Sequence, residues 1–306
     1  MKKILIIIIL SLLVLGAAGY LSFRLYQRLA RIRQEQIESK NTQKAWQNLE
    51  RNIPGRINNF NGIAGIVIKD LKRGYALSVN ENIPLPSASL VKIPIMAACF
   101  YAASEGKINL KSYLMLKSNT KVTGSGILKN YPAGTQVTIE KLIHIMIAES
   151  DNTASNMLIE LLGFDYLNDT FKKLGLNNSN IVRKMMDFQS RRQGRENYTT
   201  AADMAYILEQ MYRGKFLNRE TSLKCIDILK DQRMHDRIPA RLPSGTPVAH
   251  KTGLERGICH DVGIIFTPKG DILICALTRH KSKTSRAAKN FISYVAQDAY
   301  NYLTGL

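Results

Sequence analysis

The stretch "PSASLVKIPIM", Pro86–Met96, sets Ser89 three residues ahead of Lys92 at the head of an apolar run. Residues at i and i+3 share a helix face, so this hydroxyl and ammonium meet if a helix begins at or just before Ser89. Taken alone, the pair reads equally as a helix N-cap that happens to precede a lysine. The rest of the chain decides between the two.

Around this stretch the elements follow a clear order. "GIAGIVIKD" (62–70) is a short apolar run rich in Ile and Val, and "LKRGYALSVNEN" (71–82) supplies a turn and a second alternating run, so two antiparallel strands open the domain. "TIEKLIHIMIAES" (138–150) and "DNTASNMLIELLG" (151–163) carry apolar residues at three and four spacing, which predicts two helices, the second stopped by Gly163. "TTAADMAYILEQMYRG" (199–214) repeats that grammar, with Thr200 and Asp203 as a capping box and Gly214 as the stop. Strands return in "TPVAHKTGL" (246–254) and "DVGIIFTPKGDILICALT" (261–278), the latter folded back around Pro268–Gly270, and a last helix covers Thr284–Leu303. Strands, helices, strands and a helix predict an α+β fold: one five-stranded antiparallel sheet flanked by helices, with the central helices forming a separate all-helical lobe.

The start of the chain differs. Ile4–Phe23 holds no charged residue and follows Lys2 and Lys3, long enough for a membrane-spanning helix, while Gly16 and Ala18 suit a signal-peptide cleavage site. We therefore divide the 306 residues into a signal anchor or signal peptide (1–23), a polar helical stalk (24–57) and a folded domain (58–306). Arg24, Arg28, Arg31 and Arg33 outnumber Lys2 and Lys3 and by charge count would hold the following side in the cytoplasm, a rule that weakens ahead of a long domain. Net charge is +19, which draws the surface toward polyanions. No zinc-finger spacing or aromatic RNA-binding signature accompanies it, so anionic lipid headgroups or envelope polymers are the expected partners, not nucleic acid. Cys99, Cys225, Cys259 and Cys275 form no C-x-x-C pair and no H-E-x-x-H is present, so no metal or other cofactor is expected.

Three short motifs line up in order: S-x-x-K at Ser89 and Lys92, S-D-N at Ser150, Asp151 and Asn152, and K-T-G at Lys251, Thr252 and Gly253. Each is weak singly; the ordered set is strong. It resembles the active-site serine penicillin-recognising enzymes, and within them the class A β-lactamases and their serine-hydrolase relatives. "VTGSGIL", "ESDNTASNMLIELLG" and "HKTG" followed by "HDVGII" extend the likeness from about residue 58 to the end. The family's five-stranded sheet and helical lobe match the order of elements above.

The resemblance implies that Ser89 is the nucleophile toward a β-lactam or a D-alanyl peptide, and that Lys92 takes or relays its proton, which requires a lowered lysine pKa. It implies that Ser150 passes a proton to the leaving nitrogen and that Asn152 holds the substrate amide and the Lys92 side chain. Lys251 and Thr252 would bind the substrate carboxylate, and the backbone N–H groups of Ser89 and of Leu254, just after Gly253, would receive the oxyanion. Gly124–Gly126 would be a lip of the cleft, with Asp151 a helix cap. His144 reads as packed on an apolar helix face, His250 and His260 as flanking the strand near the cleft, and Tyr198 as structural.

One feature departs from the family. Class A enzymes carry a loop glutamate that activates the deacylating water. Aligning Arg183 and Thr199 in "RKMMDFQSRRQGRENYTT" puts Met185 at that place and Gln189 where an asparagine assists. Asp187, Glu196 or no residue would then serve as base. The expected function is a β-lactamase-type serine hydrolase with slow deacylation. The alternatives are a penicillin-sensitive D-alanyl peptidase or esterase of the cell wall, and a catalytically idle peptidoglycan-binding module. All place the domain outside the cytoplasmic membrane.

Overall fold

The structure is a computed structural model that describes residues 2–305; the side chains of residues 3, 9–12 and 14 lie outside the description. The chain divides into two compact units, Met1–Asn48 and Leu49–Leu306. Helix α1 (Lys2–Asn58) makes up the first unit and its last turns belong to the second. Among the described residues no helix is long and apolar enough to cross a membrane. Ile9–Leu12 and Val14, which fall within the apolar run of the sequence, have side chains outside the described residues.

In the second unit, β1 (Gly62–Asp70) and β2 (Ala76–Val79) form the opening hairpin. A two-residue β3 (Leu85–Pro86) leads into a 3-10 turn (Ala88–Val91) and α2 (Lys92–Ser104). Next come β4 (Tyr113–Met115), β5 (Gln136–Thr138), α3 (Ile139–Ala148), α4 (Asn152–Leu162), α5 (Phe164–Lys173) and the short α6 (Phe188–Arg192). Then β6 (Tyr198–Thr199) pairs with β3, and α7 (Ala201–Tyr212) and α8 (Arg219–Lys230) follow. The chain closes with β7 (Val248–Glu255), β8 (Ile258–Ile265), β9 (Ile272–His280) and α9 (Arg286–Thr304).

The main sheet runs β2-β1-β9-β8-β7, antiparallel throughout. The expected α+β fold, with its five-stranded sheet and helical lobe, is therefore present. β8 is buried at every position because the sheet has cover on both faces, so its sequence does not alternate strictly and its two polar residues, His260 and Asp261, are hydrogen-bonded. Leu273, Cys275 and Leu277 of β9 join one cluster with α2, α3, α4, α7 and α8, while α9 packs against β8 and β9. β2 alternates between exposed and half-buried positions, as an outer strand does.

Local signals place the helix starts. Thr138, Asp151, Thr200 and Asn218 each accept a backbone N–H from the first turn of the helix they precede. The expected capping box at α7 is half formed. Thr200 accepts from Asp203 N, but the Asp203 carboxylate turns outward to accept from Asn178 N and Ser179 Oγ, pinning a loop that the helix alone would leave loose. His144 is not packed in an apolar face: it is a third exposed and bonds the Asp231 carboxylate at 2.8 Å. All four cysteines are free and buried.

Candidate active site

Ser89 sits in the 3-10 turn ahead of α2. Ser87, Ala88, Leu90, Val91 and Lys92 are buried around it, and Ser89 is the residue of the turn that reaches solvent. Ala88 has φ of +45°, a left-handed conformation that costs a residue with a side chain roughly 1–3 kcal/mol and persists only where its surroundings impose it. Those surroundings are specific. Ser87 N donates to Asn197 O at 2.7 Å, Leu90 N to Ser87 O at 2.9 Å, and His260 Nε2 to Pro86 O at 2.9 Å. A Cβ at Gly253 would stand 3.3 Å from Ser87 O and 3.4 Å from Ala88 Cβ, so this glycine lets β7 run close beside the turn.

Lys92, the first residue of α2, is fully buried, and its Nζ donates to Ser150 O at 2.6 Å, Asn152 Oδ1 at 2.9 Å and Ser150 Oγ at 3.2 Å. From the other side Lys251, also fully buried, donates to Ser150 Oγ at 2.9 Å and to Thr252 O at 2.9 Å. Two lysine nitrogens thus converge on one hydroxyl. Burial lowers the Lys92 pKa from 10.5 to about 7, against a smaller opposing pull from the Asp151 carboxylate. Lys251 is also held well below its ordinary value, first by burial, then by the Lys92 charge and by Arg237, with Asp261 opposing. A neutral Lys92 uses its two N–H bonds on Ser150 O and Asn152 Oδ1 and retains a lone pair to accept a proton.

The S-D-N corner is built by Asp151. Its Oδ1 caps α4 through Ala154 N at 2.9 Å, and its Oδ2 accepts from Ile127 N at 2.6 Å and Leu128 N at 2.8 Å. One carboxylate therefore joins the start of α4 to the lip at 124–128. Any side chain at Gly126 would collide with it. Ser150, just before, has φ of +52°, a second strained residue held at the site. Asn152 N donates to Ser125 O and its Nδ2 to Thr123 O, so the lip is tied to the residue that holds Lys92.

The loop from Arg183 to Asn197 closes over the end of α4. Asn156, one turn beyond Asn152, clamps the Met185 backbone: its Oδ1 accepts from Met185 N at 2.8 Å and its Nδ2 donates to Met185 O at 3.1 Å. Met185 is buried in the core cluster. Both acids of the loop are engaged by neighbours. Glu196 is buried, with Arg183 at 2.6 Å and Arg191 at 3.0 Å. Asp187 caps α6 through Ser190 N and accepts from Ser190 Oγ at 2.6 Å, and these bonds hold its pKa below the usual value. Glu255, at the end of β7, meets the same two arginines at 3.3 and 3.0 Å and ties the loop to the strand.

His250 in β7 and His260 in β8 point to opposite faces of the sheet. His250 Nδ1 bonds the buried Asp261 carboxylate at 3.0 Å. His260 donates through Nε2 to Pro86 O and accepts at Nδ1 from Thr278 N; burial lowers its pKa to about 4, which keeps it neutral and structural. Thr252 and Gly253 stand on β7 beside the Ser89 turn, and Leu254 follows with its side chain half exposed.

Sequence reasoning missed three residues. Asn156 had a signal, lying four residues past Asn152 on the same helix face. Asn197 closes the loop neck, accepting from Val182 N and Arg183 N and donating to Arg183 O, and its own carbonyl receives Ser87 N. Arg237 carried no local signal. It is 1% exposed; Nε contacts Cys259 Sγ at 3.3 Å, Nη1 lies 3.0 Å from Asp236 Oδ1 but off a hydrogen-bond line, and Nη2 has no acceptor among the described residues.

The family model described as "Beta-lactamase enzyme family" matches residues 47–303. β-Lactamase VEB-1 of Pseudomonas aeruginosa is 27% identical over 275 residues, covering 83% of this chain and 90% of its own. Among solved structures, a β-lactamase of Sphaerobacter thermophilus superposes with a TM-score of 0.76 at 29% identity, covering 83% of this chain and 97% of that one. A mutant of PBP-A, solved as its acyl-enzyme complex with penicillin G, superposes at 0.77 with 27% identity, covering 85% and 97%.

Proposed function

The chain belongs to the β-lactamase enzyme family and is a serine hydrolase, and from that premise we propose that Ser89 attacks β-lactams to form an acyl-enzyme that hydrolyses slowly. The observation that carries this is the convergence of Lys92 and Lys251 on Ser150 Oγ, with Lys92 near neutrality. Neutral Lys92 takes the Ser89 proton as Oγ adds to the lactam carbonyl. The protonated Lys92 donates to Ser150, whose hydroxyl passes a proton to the leaving nitrogen, so that one proton moves in a relay and none is lost. Lys251 and Thr252 hold the substrate carboxylate, and the buried Arg237 adds positive potential beside them. Asn152 holds the substrate amide while steadying Lys92. The N–H groups of Ser89 and Leu254 receive the oxyanion, and Gly253 keeps the strand near enough for both.

Deacylation lacks its base. Met185 accepts no proton, and the carboxylates of Asp187 and Glu196 are committed to a helix cap and to arginines. The same observation favours a second reading, a penicillin-sensitive D-alanyl peptidase, to which the likeness to a PBP-A acyl-enzyme lends support. Either reading places the catalytic unit outside the cytoplasmic membrane, tethered or released by the apolar segment, with the basic stalk facing anionic headgroups or envelope polymers.

Intact-protein mass spectrometry after mixing with benzylpenicillin tests the proposal. A stable adduct on Ser89, absent in Ser89→Ala, is the expected result. Rapid consumption of drug with no adduct would refute slow deacylation, and an adduct on the Ser89→Ala protein would refute the nucleophile. Turnover of an acyl-D-alanyl-D-alanine peptide by the same preparation would assign it to the second reading.

A further inference from the structure

Asn152 and Met186 approach the same glycine of the lip. Gly124 of the lip has φ of +85°, and a Cβ there would stand 2.8 Å from Asn152 Nδ2 and 3.2 Å from both Sδ and Cε of Met186. The lip therefore offers bare backbone at this point, and a methionine from the opposite loop fills the space. Met186 is itself left-handed, with φ of +65°, a strained state for a residue with a side chain. Three constraints hold it there: Asn156 clamps the preceding residue, Phe188 N donates to Met186 O at 3.0 Å, and Asp187 caps α6 immediately after. The side chain remains partly exposed. The backbone is thus fixed while the thioether, with three free torsions, can adjust to what lies beneath it.

From this arrangement we infer that Met186 is a specificity-determining residue: its thioether forms an adjustable apolar roof over Asn152 that selects acyl donors bearing an aromatic acylamino group. The inference rests on the proposed acylation of Ser89. Asn152 is the group proposed to hold the substrate amide, and its Oδ1 already accepts from Lys92. A substituent on that amide extends from the Asn152 carboxamide toward the neighbouring roof, where sulfur and methyl meet an aromatic ring favourably and a charged group poorly. Met186 takes no part in bond making or breaking; it contacts a remote part of the substrate.

The test compares two acyl donors that share the reacting ring. Benzylpenicillin carries a phenylacetyl amide; 6-aminopenicillanic acid has a bare amine there. The second-order rate constant of Ser89 acylation is measured for both with wild type, Met186→Ala, Met186→Leu and Met186→Gln. Expected is a loss of roughly three- to tenfold for benzylpenicillin in Met186→Ala and Met186→Gln, partial retention in Met186→Leu, and a change of less than about twofold for 6-aminopenicillanic acid throughout. Equal losses for both donors would show a structural role for Met186 and overturn the inference, as would unchanged benzylpenicillin rates. Failure of wild type to acylate with either donor would instead overturn the reading of Ser89 on which the inference rests.

Discussion

Replacing Lys92 with methionine removes the residue proposed as the general base and should make the protein more stable. At pH 7 the folded chain buries an amine whose pKa has fallen from 10.5 to about 7. At roughly 1.4 kcal/mol per pH unit, the gap is a folding penalty of about 5 kcal/mol in acid and about 4 kcal/mol at pH 7. Below pH 7 the lysine is charged in both states, so the penalty is constant. Between pH 7 and 10.5 the unfolded chain holds a proton that the native chain lacks, so wild-type stability rises with pH; above 10.5 both forms are neutral and the penalty is gone. The substitution also leaves Ser150 O and Asn152 Oδ1 without their donor, while Ser150 Oγ keeps Lys251; at about 1 kcal/mol for each acceptor this costs about 2 kcal/mol. The net gain is about 2 kcal/mol at pH 7, or roughly 4–8 °C in Tm. It should vanish near pH 9, where the remaining penalty of about 2 kcal/mol equals the loss. Thermal unfolding of wild type and Lys92→Met at pH 6, 7, 8 and 9 measures this directly. A variant that is less stable at pH 6–7, or an advantage that does not shrink by pH 9, would show that Lys92 is charged and well satisfied in the native state. The acyl-transfer relay would then lose its base.

Single-turnover acylation by benzylpenicillin should rise about tenfold from pH 6 to pH 8 and level off above, because the neutral fraction of an amine with a pKa of about 7 does so; a flat profile counts against Lys92. Met185→Glu should shorten the lifetime of the penicillin adduct by on the order of a hundredfold while leaving the rate of its formation within a fewfold, as mass spectrometry at timed intervals will show. Arg237→Gln should weaken acylation by penicillins roughly tenfold through the substrate carboxylate and leave an ester lacking that carboxylate nearly unaffected. Asn156→Ala should lower stability by about 2–4 kcal/mol in thermal or denaturant unfolding, since both Met185 backbone groups lose a buried partner.

The parts of this protein that are legible in its sequence are those set by short-range physics. Period-2 and period-3.6 patterns depend on neighbours within a turn or a strand, so the hairpin, the helices and the three late strands could be placed before any contact was known. Caps such as Asp151 act on residues three positions away, and the S-x-x-K pair lies within one helical turn. Ser89, Lys92, Ser150, Asn152 and Lys251 were likewise nameable from their motifs.

Tertiary structure decided what those groups are chemically. Lys92 loses its proton near pH 7 because Ser150 and Asn152, 58 and 60 residues away, wrap it away from water. Glu196 and Asp187 looked equally available as bases until folding set Arg183 and Arg191 on one and a helix start on the other. His250 and His260 sit in β7 and β8 themselves and face opposite sides of the sheet, His250 bonding Asp261 on one side and His260 bonding Pro86 O beside the Ser89 turn on the other, a split that only the strand pairing sets. Arg237 acts on Lys251 only through packing. Burial and charge pairing are sums over neighbours brought in from across the chain, and a linear pattern contains the residues but not that sum.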